Sequence, residues 1–509
     1  MKKLMYISIM AIAAGFGCKK GFLSELQNNP NAPTTNAASV QLVLPGTITN
    51  LVGIKDGAGV YQSQGAWLGY WNYSGGYSFN QTVQEYVMSN TGPQSWDNYY
   101  GVLTNLNVIK QQASASASLA NYTDIAEILS AVCYKGLVDD YNDVPYSQAL
   151  KGAGNFYPTY DKGSDIYDSL VAHLDIALAD LNTNLSNGAV VKPTNDDVMF
   201  GGDMTKWLQY GNTIKLKLLV QQSEVSAKQA YIKTEAAKTN SYGYLTDDAL
   251  VNPGYSLAQQ GPFYGAFGLT TSGATNGTYL YIRAGGFAID FYKNTNDPRL
   301  GYIYSAIGAQ PVDDSYYTPS TSQDDYYGDY LGIQVTQPTK GSGIGPGLVK
   351  NKTGNQGAVM MLAAESYFVQ SEAVVRGYIT GDAKALYDAG ILASFNYLGV
   401  PDAATAATEY ENQETQYVAW PSTTAAQIAA IVTQKWAALN STTNEEGWND
   451  WRRTGYPDVP GTKSPTSVAK HMPYRYYYPS EEPTYNQGSW LAAGGDKIDP
   501  FVNKIFWMP

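Results

Sequence analysis

The side chains here that could carry out chemistry are two glutamates, an acidic turn, two histidines and a cluster of tryptophan and arginine. Glu365 and Glu372 stand seven residues apart in a stretch with helical periodicity. Seven residues fall about 20° short of two turns, so both side chains project on one stripe. Two carboxylates on one face could serve as acid and nucleophile of a glycosidase. They could instead be structural, because Glu372 and Arg376 have the i, i+4 spacing of a helical ion pair. Asp139, Asp140, Asn142 and Asp143 invite a calcium reading. A calcium loop starting at Asp139 or Asp140 would need its final carboxylate where Leu150 or Lys151 stands, and the required glycine is missing. A helix-terminating turn closed by side-chain to backbone bonds is the better account. His173 and His471 are too few for a multi-histidine zinc site or an HExxH pair, and His173 lies in an amphipathic helical pattern. No G-x-S-x-G, phosphate loop or dinucleotide fingerprint occurs. The glycine-rich run at 341–347 has Pro346 where the third fingerprint glycine would fall. Trp448, Trp451, Arg452 and Arg453 could stack and bind a sugar acid or a phosphate, or pack within a scaffold. These observations favour a protein that is not an enzyme and has neither a metal nor a cofactor.

Binding chemistry is better represented. The chain holds 43 Tyr and 10 Trp against 13 Phe, an excess of aromatic side chains that carry a polar handle. Sugar rings present flat C–H faces that stack on aromatic rings, while nearby amides satisfy their hydroxyls. One candidate ligand-binding cluster is Trp67, Trp71, Asn72, Tyr73 and Tyr77, in a glycine-rich stretch too polar and irregular for a core helix. A second is Phe263, Tyr264, Tyr279, Tyr281, Tyr316 and Tyr317, in a loop-rich region. Both are expected to be exposed on loops, although any one tyrosine could be core filler whose hydroxyl reaches solvent. A formal net charge of -12 with only 15% charged residues argues against nucleic acid or an anionic membrane surface as partner and favours neutral ligands.

The elements that would position these residues are mostly helical. Lys2, Lys3 and an apolar run from Leu4 to Ala14 read as a signal peptide over 1–17. The run of about 11 residues is too short for a hydrocarbon core that needs roughly 20. Gly17 precedes Cys18, so cleavage there and acylation of the Cys18 thiol would give a lipid-anchored chain, although Gly15 replaces the aliphatic residue usual in such a signal. Residues 18–38 read as a tether and extended arm, broken by Pro30 and Pro33. With Cys18 acylated, Cys133 has no disulfide partner and stability must come from the core. The remaining 39–509 read as a single domain. Helical periodicity covers about 96–118, 123–138, 166–184, 206–223 and 226–239, then 357–376, 382–397, 404–415, 424–439 and 444–453. Between them a loop-rich insertion at about 252–346 is rich in Gly, Ser, Thr, Tyr and Asn, with room for a few short strands. Helices of this length joined by short turns suggest stacked helical pairs, though no strict 34-residue repeat is present.

Seven stretches in order along the chain carry a resemblance. They are Gly21-Phe22-Leu23 with Asn29-Pro30-Asn31-Ala32-Pro33; the run from Gly136 to Ser147; Asp161 through Tyr167; Gly202 to Trp207; Asp297-Pro298-Arg299; Ala363-Ala364-Glu365 with Ser371 to Gly377; and Trp448 to Pro457. Together they resemble the SusD/RagB family of nutrient-binding outer-membrane lipoproteins, particularly its SusD-like branch. The resemblance implies a mainly α fold, a scaffold of tetratricopeptide-like helical pairs carrying a loop-rich variable face. It implies a lipid-anchored protein facing outward from the cell outer membrane, held to the membrane by its lipid alone. It further implies a SusC-like TonB-dependent outer-membrane transporter as partner, over which such proteins act as a hinged lid delivering oligosaccharides for nutrient uptake. Glu365, Glu372 and the Trp448 cluster fall in stretches that resemble the family's scaffold. The family's aromatic arc has no fixed motif, so no aromatic is assigned through it. The alternatives are a peptide- or protein-binding lipoprotein on the same scaffold and, less favoured, a glycoside hydrolase.

Overall fold

The structure, a computed structural model, describes residues 39–57, 61–77, 80–91 and 95–509. Cys18, the signal peptide and the tether lie outside the described residues. Helices α1 (Val40–Lys55), α2 (Ser95–Ala113), α3 (Ala120–Tyr141), α4 (Gly163–Asn184) and α5 (Met204–Gln221) each pack on the next. Of these, only α2 and α3 are joined by a short connection, residues 114–119, which makes those two a hairpin. In α4 the residues Ile166, Leu170, Leu174, Ala177, Leu178 and Leu181 are all buried, the face that their spacing predicts. α3 is buried nearly all round, as befits a helix with neighbours on several sides. α5 begins where the Asp203 carboxylate accepts the N–H groups of Thr205 and Lys206. It approaches α3 and α4 closely at Gly211, where a Cβ would meet Ile128 at 2.7 Å and Leu178 at 2.9 Å.

α6 (Gln229–Thr239) packs on α5 and α4. The second run holds α7 (Ala363–Val375), α8 (Ala383–Leu398), α9 (Ala403–Glu411), α10 (Thr424–Leu439) and α11 (Asn444–Thr454). α7 packs on α8 and α10 and also returns onto α5, joining the late helices to the early ones. The fold is mainly α. The last fifty residues are largely irregular, with short helices at Glu482–Tyr485 and Gln487–Ala492.

Three short antiparallel ladders place the middle of the chain. β4 (Ala249–Val251) pairs with β6 (Ala358–Met361), so the middle segment leaves and re-enters the scaffold at one point. β1 (Trp71–Tyr73) pairs with β5 (Ile282–Ala284), tying that segment to the early glycine-rich stretch. β2 (Val144–Pro145) pairs with β3 (Tyr160–Asp161) on the helical side. The middle contains more helix than its composition suggests, with Pro262–Phe267, Gly277–Tyr281 and Gly286–Asn294 all helical. Local signals start two of them: Pro262 at the first turn, and Asn276, whose side chain accepts the Thr278 N–H.

The scaffold buries charge as well as hydrocarbon. Glu446 of α11 takes the ammonium groups of Lys135 and Lys217 at 3.1 Å each, from α3 and α5. Lys135 also pairs with Asp139 at 2.6 Å, and Lys217 with Glu365 of α7. Lys55 of α1 meets Glu445 at 2.8 Å. Arg453 holds Glu372 at 2.8 Å and Asp450 at 2.9 Å, while Arg376 holds Glu372 at 2.7 Å. Burial alone would raise the Glu446 carboxyl, yet Lys135 and Lys217 outweigh it and hold it well below the glutamate range.

Candidate functional site

The groups that sequence alone suggested for catalysis serve the scaffold. Glu365 and Glu372 do share a helix, α7, but each is consumed by ion pairs and both are buried. Glu365, paired with Lys217, and Glu372, held by Arg376 and Arg453, are thus enclosed within the scaffold. The Arg452 guanidinium lies 3.5 Å from the Trp448 ring centroid and 4.9 Å from that of Trp507, so the expected stacking exists but is enclosed. Asp139 accepts from Asn449 at 2.9 Å and from Trp507 at 3.0 Å, as well as from Tyr167. It is therefore a hub inside α3 rather than part of the turn. The turn itself falls at Asn142, with φ +69°, beside Asp143, whose carboxylate accepts the Gly163 N–H at 3.0 Å.

Most of the proposed ligand aromatics are corrected by the structure, because their rings are buried instead of standing exposed on loops. Trp67, Trp71, Tyr73, Phe263, Tyr264, Tyr279 and Tyr316 are all 5% exposed or less. Trp67 donates to the Val83 carbonyl and packs against Trp448, while Trp71 donates to the Ser441 hydroxyl at 2.6 Å. The Tyr264, Tyr279 and Tyr316 hydroxyls donate to the carbonyls of Asn351, Ala309 and Ile344, respectively, the Tyr73 hydroxyl is bonded to the Gln62 carbonyl, and Phe263 packs edge-on against Tyr61. Each polar handle thus finds a partner inside, which is what allows tyrosine and tryptophan to fill a core. Asn72 is also fully buried. Its amide faces the carbonyls of Asp329, Tyr330 and Ile333 at 2.9, 3.0 and 2.6 Å, which makes it a clamp on that segment and not a ligand-facing amide.

Two of the proposed aromatics that keep some exposure stand on the segments that this clamp joins. The stretch 327–345 is stitched to both strands of the β1–β5 ladder. Gly75 N–H donates to the Val335 carbonyl, Ala284 N–H to Ser342 at 2.9 Å and Gly286 N–H to Asp329 at 2.9 Å. Gly285 sits so close to Gly69 that a Cβ would lie 2.2 Å from its carbonyl oxygen. On these segments stand Tyr77, 41% exposed, and Tyr281, half-buried, with ring centroids 5.2 Å apart. Tyr317, also half-buried, donates its hydroxyl to the Pro311 carbonyl at 3.0 Å and packs edge-on against Tyr316. The structure adds Tyr327, 45% exposed, half-buried Tyr330 and exposed Ile333, none of which the composition argument singled out. A partial signal was present in Asp324-Asp325-Tyr326-Tyr327-Gly328-Asp329-Tyr330, since carboxylates so close together resist burial; Tyr327 and Tyr330 stay near solvent, while the neighbouring Tyr326 is buried.

The exposed tyrosines are oriented by acids. Tyr327 donates to Asp329 at 2.6 Å and Tyr330 to Asp290 at 2.7 Å. The bond to Asp290, with some burial, pushes the Tyr330 hydroxyl up to about 12. The exposed Lys463 ammonium lies 5.7 Å from the Tyr330 ring centroid. Such a face offers flat rings of fixed orientation, carboxylate oxygens able to accept further hydrogen bonds, and a local negative charge.

Solved structures share this fold. A chitin-binding protein is 24% identical, with a TM-score of 0.74 over 92% of this chain and 99% of its own. A chitin-binding SusD homolog from Flavobacterium johnsoniae is 24% identical, with a TM-score of 0.70 over 91% of this chain and 98% of its own. A SusD homolog from Bacteroides fragilis is 23% identical, with a TM-score of 0.72 over 92% and 99%. No curated protein matches the chain in sequence. No helix among the described residues is long and apolar enough to cross a membrane. A SusD-like family profile described as "Starch-binding associating with outer membrane" matches residues 38–479, and the chain belongs to that family.

Proposed function

We propose that this protein is a non-enzymatic, lipid-anchored glycan-binding protein on the outward side of the outer membrane, which captures oligosaccharides for a SusC-like TonB-dependent transporter. Membership of a family described as starch-binding and associating with the outer membrane supports glycan capture. So do the printed names of two structural neighbours, which describe them as chitin-binding. The observation that carries the reading is the stitched face on which Tyr77, Tyr281, Tyr327 and Tyr330 stand, two of them fixed by carboxylates. Aromatic faces meet the C–H faces of sugar rings, and Asp290 and Asp329 accept from their hydroxyls. The same carboxylates repel uronates and sulfated sugars, so the ligand is neutral. Lipid anchoring rests on Cys18 and delivery to the transporter on family membership.

The test is retardation in affinity gels containing starch, chitosan-derived chitin oligomers, xylan or β-glucan. Wild-type protein beginning after Cys18 is expected to be retarded by at least one neutral glycan, and Tyr77→Ala/Tyr327→Ala to be retarded clearly less in the same gel. Equal retardation of the two proteins would remove this face as the binding site, and retardation by none of the glycans would remove the reading itself.

A further inference from the structure

Helices α2, α3 and α4 and the turn after β2 enclose a cleft of about 630 Å³, lined by no residue of β1, β5 or the 327–345 segment. Its volume lies within the range of small-molecule sites, roughly 300–1,000 Å³. One wall holds Tyr134 of α3 and Tyr146, their rings edge to face with centroids 4.7 Å apart. Tyr134 is 6% exposed and Tyr146 is half-buried. Neither hydroxyl, and neither side-chain amide of Asn107 and Gln111 on α2, hydrogen-bonds to another described residue, in contrast to the tyrosines that fill the core.

The charged groups of the cleft are balanced. Lys110 pairs with Glu127 at 3.3 Å, and His173 Nδ1 lies 3.5 Å from the other oxygen of the same carboxylate. Asp161, beneath the turn, accepts the N–H groups of Tyr146 and Ser147 at 3.0 and 2.8 Å. With Lys110, Lys151 and Glu127 the lining carries one positive charge in excess when His173 is neutral, and Asp161 behind the turn offsets it. An aromatic pair with free hydroxyls, two free amides and an ion pair able both to donate and to accept match the flat face and hydroxyls of a neutral sugar. A peptide backbone would find no strand edge here, because three walls are helices whose backbone groups are bonded internally and the fourth is a turn whose Tyr146 and Ser147 N–H groups are taken by Asp161.

We propose that this cleft is a second saccharide site, taking a neutral sugar of about two or three rings, built on the helical scaffold and separate from the loop face. The inference rests on the reading of the chain as a glycan-binding protein. Its test keeps the two apart through calorimetry of maltotriose, chitotriose and cellotriose against three proteins: wild type, Asn107→Ala/Tyr146→Ala, and Tyr77→Ala/Tyr327→Ala. Circular dichroism reports folding. Since the cleft variant could fail to fold, reductively ¹³C-methylated wild-type protein supplies a second readout, the methyl signals of Lys110 and Lys151.

The expected result is a trisaccharide that shifts both lysine signals and binds the loop-face variant, but binds the cleft variant at least about tenfold more weakly at one site. Binding abolished by the loop-face variant, with unmoved lysine signals, overturns the second site and leaves the proposed function intact. Binding lost in the cleft variant alone supports the cleft and removes the loop face. Lysine signals that respond to a tripeptide mixture and to no sugar overturn the saccharide assignment, and the absence of any sugar binding overturns both proposals.

Discussion

At the scale of single residues, the decisive property is where a polar aromatic's hydroxyl or N–H finds its partner. Trp67, Trp71 and Tyr73 occur in a glycine-rich stretch, yet Trp67 ends a short helix, Gln64–Trp67, and Trp71 and Tyr73 lie in β1. The burial of Trp71 and Tyr73 comes from β1 being covered on both sides, which leaves no alternation of polar and apolar residues to read, and Trp67 packs against Trp448. Tyr327 and Tyr330 instead donate to carboxylates near solvent, half-buried Asp329 and exposed Asp290. Asn72 shows the consequence of such burial. Asn72→Ala frees three carbonyls of the 329–333 segment and is expected to cost about 1–3 kcal/mol in urea unfolding. It is also expected to weaken glycan retardation, although Asn72 touches no ligand. Unaltered retardation would show that the clamp does not position the loop face.

At the scale of elements, the sequence was most informative where periodicity is long. The spans α3, α4, α5, α8, α10 and α11 lie within a few residues of those predicted, because a buried face at 3.6-residue spacing is a long-range signal. The short helices of the middle segment were not legible, since four to nine residues give too few turns for a face to emerge. The charge network that joins α3, α5, α7 and α11 was visible only as residue types. Glu446→Gln leaves Lys135 and Lys217 buried without their shared counter-charge, and its expected cost in chemical denaturation is about 3–5 kcal/mol. A loss under 1 kcal/mol would mean that the network is not a pillar of the fold.

Glu372 carries a pH signature. Burial pushes its carboxyl up, but Arg453 and Arg376 outweigh that and hold it at about 2, below its ordinary 4.5. Its contribution, roughly 3 kcal/mol, is complete above pH 4.5 and fades as pH falls towards 2. The stability gap between wild type and Glu372→Gln should therefore narrow over that window. A gap independent of pH would contradict the assignment.

At the scale of the whole molecule, the division of labour follows from where the chain leaves and re-enters its scaffold. The β4–β6 ladder pins both ends of the middle segment, and the β1–β5 ladder folds it against the 67–77 stretch. Exposed rings therefore stand on segments held at several points. The ordered motifs of the scaffold carry the family resemblance, and they hold buried ion pairs of this chain, Asp297 with Arg299 and Glu372 with Arg453. The binding face has no such motif, since exposure is decided by tertiary neighbours. The most direct measurement is a crystal structure of the protein with a soluble neutral oligosaccharide that it binds. The account predicts a sugar ring lying against Tyr77, Tyr281, Tyr327 or Tyr330, with a hydroxyl donating to Asp290 or Asp329. A bound saccharide that leaves all four rings untouched would contradict it.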